Sequence, residues 1–381
     1  MAAIAGLLTP AAAAGLEPYQ MIRSLQLMQD RIADGDHAAL PMQSRLLAIV
    51  DRRLRDMAPE KFEDRRNLDA LLIYGASGGN PETLEAVFSR LQPGEADRRL
   101  NEGLTHYARG DLAAARELLA SVDLDTMEPR LAAPLALVLG SLFTQQDPAE
   151  ALRLFDQARL LSPGTLIEEA ALRRSVAVSA EMKDEERFAR ASIQYVNRFL
   201  RSPYANQFAE AFVSGIIAFE GQVDLSMVEE VASNMRPDQA QVIYLRIARQ
   251  SAIEGYHRLL AFASENAEKY AAEEQEDPRA TLYANLALVA SANVDAVLGT
   301  LEKIDDERLS ESDRKLLRAA RKIAGDILAS PVEGLQDGSM PAASELFRGA
   351  AAEGQTAIER FMAKSHQKLK EIDMLLAEKR R

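Results

Sequence analysis

The chain contains no cysteine and no tryptophan, and aromatic residues make up only 6% of its 381 positions. Without cysteine there is no disulfide, no thiol nucleophile and no thiolate metal site, a composition that suits an oxidising compartment. No apolar run approaches the ~20 residues a membrane-spanning helix needs. The longest candidate, Leu131 to Phe143, is short and carries Pro134 and Gly140. Positive charge is also in deficit, with 45 Lys and Arg against 58 Asp and Glu and a formal net charge of −13. A nucleic-acid-binding protein gains its affinity from a basic surface that releases counterions, so that class is disfavoured.

Sites for metals and nucleotides are missing as well. Neither G-x-x-x-x-G-K-[ST] nor G-x-G-x-x-G occurs, so no phosphate-cradling loop is indicated. His37, His106, His257 and His366 stand far apart, and none has the i, i+4 histidine partner of a helical zinc site. The acidic runs at Asp305 and around Glu273 lack the alternating oxygen ligands of a calcium loop. No cofactor is expected.

What is present is helix-forming material. Apolar residues make up 47%, alanine and leucine dominate, and β-branched residues are few, which points to an all-α protein. The clearest stretch is Pro148 to Val178. Ala151, Leu154, Phe155 and Ala158 form one apolar stripe, Pro163-Gly164 breaks it, and Leu166, Ile167, Ala170, Ala171 and Val178 restart the period. Small Ala151 and Ala158 flank bulky Phe155, so a neighbouring helix can wedge between them. A shift of 36 residues sets Asp147 on Asp111, Ala151 on Ala115, Phe155 on Leu119 and Phe143 on Tyr107. The same shift sets Leu139 on Gly103. The order resembles tetratricopeptide repeats, helix pairs of about 34 residues. The expected fold is therefore a superhelical, tetratricopeptide-like array of antiparallel helix pairs, with a concave face for a partner.

In chain order, Pro18 opens a first helix to about Ala33, and a second spans about Met42 to Met57. A third runs from about Asp64 to Tyr74, broken by Gly75–Gly79, and Asn80-Pro81 opens a short fourth. Helix-sized blocks continue after Asp184, with Arg236-Pro237-Asp238 and the EEQEDP run as breaks, to about Leu328. Residues 15–329 are thus expected to form the helical array. Ser330 to Pro341 is a linker with two prolines and two glycines, and residues 342–381 form a detached C-terminal helix. Its Ile358, Met362, Ser365, Leu369, Ile372 and Leu376 make a heptad seam, suited either to a partner or to packing on the array. At the other end, residues 1–14 read as the end of a secretory signal peptide, with an A-x-A site at Ala12–Ala14 and cleavage before Gly15, or as an alanine-rich tail; no Lys or Arg precedes the apolar run.

Two stretches invite a functional reading. Gly75–Gly79 formally matches the G-x-S-x-G elbow of a serine hydrolase around Ser77. An elbow needs its helix to begin directly after the serine, and Gly78-Gly79-Asn80-Pro81 delays it; an interhelix turn is the simpler reading. Glu168, Glu169, Arg173 and Arg174 form a charged face. The Glu169–Arg173 pair has the favourable i, i+4 order for helix support, and Arg173 and Arg174 are the candidate partner-binding residues, since arginine is enriched at interface anchors.

Four segments carry a family resemblance: LEPYQMIRSLQLMQDRIADGDHAALPMQ from Leu16, DPAEALRLFDQARLLSPGTLIEEAALRRS from Asp147, RFLRSPYANQFAEAF from Arg198 and YLRIARQSAI from Tyr244. They resemble MotC, a family of periplasmic flagellar motility proteins of rhizobia and their relatives. The resemblance implies export to the periplasm, binding to the periplasmic part of the stator protein MotB, a dedicated chaperone of the MotE type, and no catalytic residues. The alternatives are a cytoplasmic tetratricopeptide-like adaptor and a serine hydrolase using Ser77.

Overall fold

A computed structural model describes residues 16–219, 223–271, 277–288 and 294–329. The tail 1–14, the linker 330–341 and the heptad helix 342–381 lie outside them. Among the described residues there are seventeen α-helices, three short 3-10 turns and no strand. The expectation of an all-α protein holds. Contacts divide the chain into two compact units, residues 1–211 and 212–381, so the expected array of 15–329 contains two such bodies.

The first unit begins with α1 (Pro18–Ala33), α2 (Ala39–Asp56), α3 (Arg65–Ala76) and α4 (Pro81–Phe88). It continues through α5 (Glu95–Ala108), α6 (Leu112–Leu119), α7 (Pro129–Phe143), α8 (Pro148–Leu161), α9 (Leu166–Glu181) and α10 (Glu185–Phe199). The last, α11 (Ala205–Ala218), contains the division. Helix starts follow the sequence closely. The side chains of Asp111, Asp147 and Asp184 accept from the backbone N–H groups of Ala114, Glu150 and Arg187, capping α6, α8 and α10 in the same way. Each satisfies a donor that the first helical turn leaves open.

Successive helices pair as the repeat pattern requires: α5 with α6, α7 with α8, α8 with α9 and α9 with α10. The close approaches occur at glycine. A Cβ on Gly103 would stand 2.5 Å from the Leu119 side chain, and one on Gly140 would stand 2.5 Å from the Phe155 ring. The small residue of the second pair is therefore Gly140, not Leu139. One apolar core, fully shielded at Leu25, Leu54, Leu84, Leu119, Leu135 and Phe155, runs continuously through the unit as far as Val178.

The unit departs from an open solenoid in contacts between helices distant in sequence, α3 with α7 and α1 with α9 among them. Repeats of a solenoid touch only their sequence neighbours, yet α1 packs on α2, on α3 and also on α9. The bend after α1 also meets the chain just beyond α10. A Cβ on Gly35, at φ +96°, would fall 2.6 Å from Arg201 Cβ, and His37 Nε2 lies 3.2 Å from the Arg201 carbonyl oxygen. The chain's first helix thus closes the unit.

The second unit holds α12 (Leu225–Ser233), α13 (Pro237–Glu254), α14 (His257–Lys269), α15 (Pro278–Leu288), α16 (Val294–Glu302) and α17 (Glu311–Ala329). The expected break at Arg236-Pro237-Asp238 separates α12 from α13, and Pro237 is the first residue of α13, where its missing N–H is unneeded. Tyr244 is buried between Phe262 and Tyr270, with ring centroids 5.9 and 5.8 Å away.

One backbone position is costly. The turn from α9 to α10 places Lys183 at φ 57°, the one non-glycine in the left-handed region among the described residues. Lys183 N–H donates to Ala180 O and Asp184 N–H to Ser179 O, an arrangement glycine usually completes.

Candidate functional site

The Ser77 stretch is settled by its backbone. Leu71 to Tyr74 lie inside α3, not in a strand, and Ser77 is the residue that ends that helix. Gly78 follows at φ +85°, and Gly79 N–H closes the turn by donating to Tyr74 O. Gly75 does not break the helix; it is buried within α3, where a Cβ would stand 2.8 Å from Leu84. No strained strand-to-helix turn exists to aim the hydroxyl. The glycine-rich run is an interhelix turn, and Asn80 caps α4 by accepting from Glu82 N–H.

The charged residues of α9 are arranged differently from a solvated face. Glu168 and Glu169 are buried. Glu169 Oε1 accepts from Tyr195 Oη at 2.8 Å and from Arg173 Nε at 3.0 Å, and Oε2 accepts from Arg173 Nη2 at 3.2 Å. Burial, reinforced by the neighbouring carboxylate, pushes the Tyr195 hydroxyl well above its ordinary range, so it stays a donor. Glu168 accepts from Arg198, at 2.5 Å, and from the Gly164 N–H, tying α10 and the preceding turn to α9. Both pairs fix helix packing.

Arg173 and Arg174 are half-buried and already engaged. Arg173 also donates to Gln207 Oε1 at 2.7 Å and lies 5.3 Å from the centre of the Tyr204 ring. Arg174 reaches back to α7, where it donates to Ser141 Oγ. Burial lowers the Arg174 guanidinium below its ordinary value. The two arginines therefore brace α9 against its neighbours.

A more open site lies elsewhere in the same unit. A cleft of about 670 Å³ opens between α1, α3, α5 and the start of α7. Its floor is apolar, with Ile22, Ala70, Ile73, Leu100 and Leu131 all buried. Its rim is charged. Arg65 sits between two carboxylates, 2.7 Å from Asp69 and 2.9 Å from both oxygens of Asp97. Arg66 is taken by Asp64 at 2.7 Å and lies 4.7 Å from the centre of the Tyr19 ring. Burial raises the Asp69 carboxyl above its usual range, with Arg65 opposing the shift. Arg23 and Arg130 are exposed on the rim, and among the described residues neither has a carboxylate within ion-pair distance. Apolar floors with a few placed polar groups, in this range of size, are typical of binding sites.

The sequence reading did not find this cleft. Its walls come from four separated segments, and no local pattern links Arg23 to Arg130. A weak signal existed in residues 126–131, where Thr126, Met127 and Glu128 precede a helix that is apolar almost throughout.

Comparison with known proteins gives one consistent result. The family model described as Chemotaxis protein MotC matches residues 1–381. A curated chemotaxis protein MotC of Rhizobium meliloti (strain 1021) is 40% identical over 319 residues, which cover 83% of this chain and 74% of the relative. No solved structure matches.

Proposed function

The chain belongs to the MotC family of chemotaxis proteins, and from that premise we propose that it is a non-catalytic periplasmic component of the flagellar motor. It binds the periplasmic part of the stator protein MotB and so supports rotation. The family match over the whole chain carries this reading. The A-x-A site at Ala12–Ala14 and the absence of cysteine agree with export. A chaperone of the MotE type keeps the exported chain competent for binding.

Binding works as an equilibrium device. The protein favours a stator arrangement competent for rotation by as much as its affinity for that arrangement exceeds its affinity for others. Arg173 and Arg174 contribute by holding α9, and through it the partner surface of the unit, in one geometry. A strain lacking the protein is expected to assemble filaments but fail to swim, and the full chain supplied in trans is expected to restore swimming. A deletion strain that swims normally would end the motor reading. Fractionation tests the location separately: a mature N-terminus at Gly15 in the periplasmic fraction is expected, whereas a cytoplasmic chain retaining Met1 would favour a tetratricopeptide-like adaptor.

A further inference from the structure

We infer that the cleft between α1, α3, α5 and the start of α7 is where the partner docks, and that it takes a peptide segment in which an apolar side chain is flanked by carboxylates. The inference rests on the partner reading above and adds to it a place and a chemistry.

The apolar floor explains the first half of that preference. Ile22, Ala70, Ile73, Leu100 and Leu131 offer no hydrogen-bonding side chain at the bottom of the cleft. An inserted aliphatic or aromatic side chain loses no polar partner there and leaves water. The rim explains the second half. Asp69 and Asp97 are held by Arg65, and Arg66 is held by Asp64. Among the described residues, Arg23 and Arg130 have no carboxylate within ion-pair distance; Asp30 acts on Arg23 from farther away, and Glu128 shares the rim.

The named charges balance, four arginines against Asp64, Asp69, Asp97 and Glu128, but the two guanidiniums outside these pairs are exposed beside the apolar floor, on a chain whose net charge is −13. The long-range field of such a chain repels polyanions, so nucleic acid and anionic membranes are poor occupants. A short segment with one or two carboxylates meets the arginines at close range instead, where planar guanidinium–carboxylate pairing is strongest. Arg66 adds a face: stacked against Tyr19, it offers a flat cationic surface to a residue entering from the α1 side.

The test uses the full exported chain and the purified periplasmic part of the stator protein, with affinity measured by calorimetry across a salt series. Arg23→Glu and Arg130→Glu lie at exposed positions and are expected to leave the melting temperature unchanged. Each is expected to weaken binding by about tenfold or more, because like charges brought together at an interface are strongly unfavourable. The double variant should also lose most of the salt dependence. Ala96→Trp, at an exposed residue of the first turn of α5 that lines the cleft, is expected to block the cleft sterically with a similar loss. Arg190→Glu, an equal charge change on α10, is the control and should bind as the unaltered chain does. Equal binding by the Arg23/Arg130 double variant and the unaltered chain would overturn the cleft while leaving the partner reading in place. So would equal weakening by Arg190→Glu, which would mark a general charge effect. If the unaltered chain fails to bind, both the partner reading and the cleft assignment fall.

Discussion

Phe155→Ala is expected to lower the unfolding free energy by about 3–5 kcal/mol, the range for truncating a fully buried phenylalanine. The ring has no exposed surface, and it fills the space opposite Gly140, where a Cβ would come within 2.5 Å of it. Glycine and ring are thus two halves of one contact between α7 and α8. Gly140→Ala alone is expected to cost about 1–3 kcal/mol by overpacking. In the Phe155→Ala background the same glycine substitution should cost much less, because the clashing ring is gone. A coupling of about 0.5–3 kcal/mol between the two sites is the signature of direct contact. Urea unfolding followed by helical circular dichroism measures all four corners of the cycle. Because the chain has two compact units, the transition of the first unit is the one to compare. Additive costs would contradict the packing described.

Glu169→Ala is the second large effect, expected at about 3–5 kcal/mol, as for other buried ion pairs broken from one side. The carboxylate is fully buried and Arg173 is 16% exposed, so the substitution strands a guanidinium and a tyrosine hydroxyl together. Glu169→Gln keeps an acceptor for Tyr195 but removes the charge facing Arg173, and an intermediate loss follows. Replacing Glu169 and Arg173 together by apolar residues of similar volume should cost less than Glu169→Ala, because no charge is then left unpaired. The second unit offers an independent check. There Asp313 accepts from Tyr283 at 2.8 Å and Ser310 at 2.6 Å and pairs with Arg249 at 3.1 Å. Asp313→Ala should show a comparable loss. Chemical denaturation of the single and double variants decides the matter; a double variant no better than Glu169→Ala would contradict the argument.

These two cases also show what the sequence made legible. Phe155 between Ala151 and Ala158 advertised its role, since an apolar stripe with small flanks is a local pattern. The aspartate caps were equally local: Asp111, Asp147 and Asp184 each bond a backbone N–H three residues on. The position of Gly140 was harder, because Gly140 stands seven residues before Asp147 while Gly103 stands eight before Asp111. A rigid shift of 36 therefore lands one residue away. Gly75 misled at the end of α3, whereas Pro237 marked a true break. Gly75 is tolerated inside α3 because a neighbouring side chain occupies the place of its Cβ, and Pro237 stands at the start of the helix that follows its break.

Glu169 marks the limit of local reading. Four residues from Arg173 it looks like surface support for a helix, and its burial depends on Tyr195, 26 residues away. The closure of α1 on α9 and the cleft that gathers Arg23, Arg66 and Arg130 are of the same kind. They arise when distant segments meet, and no periodicity within one helix encodes them. The family resemblance read from four segments needed no such contacts, and the match along the whole chain agrees with it.

The most direct test of the central claim is a binding isotherm between the purified mature chain and the purified periplasmic part of the stator protein. Saturable binding that weakens with salt and is lost on reversing Arg23 and Arg130 is the predicted result. A flat isotherm, with both proteins folded by circular dichroism, would contradict the account.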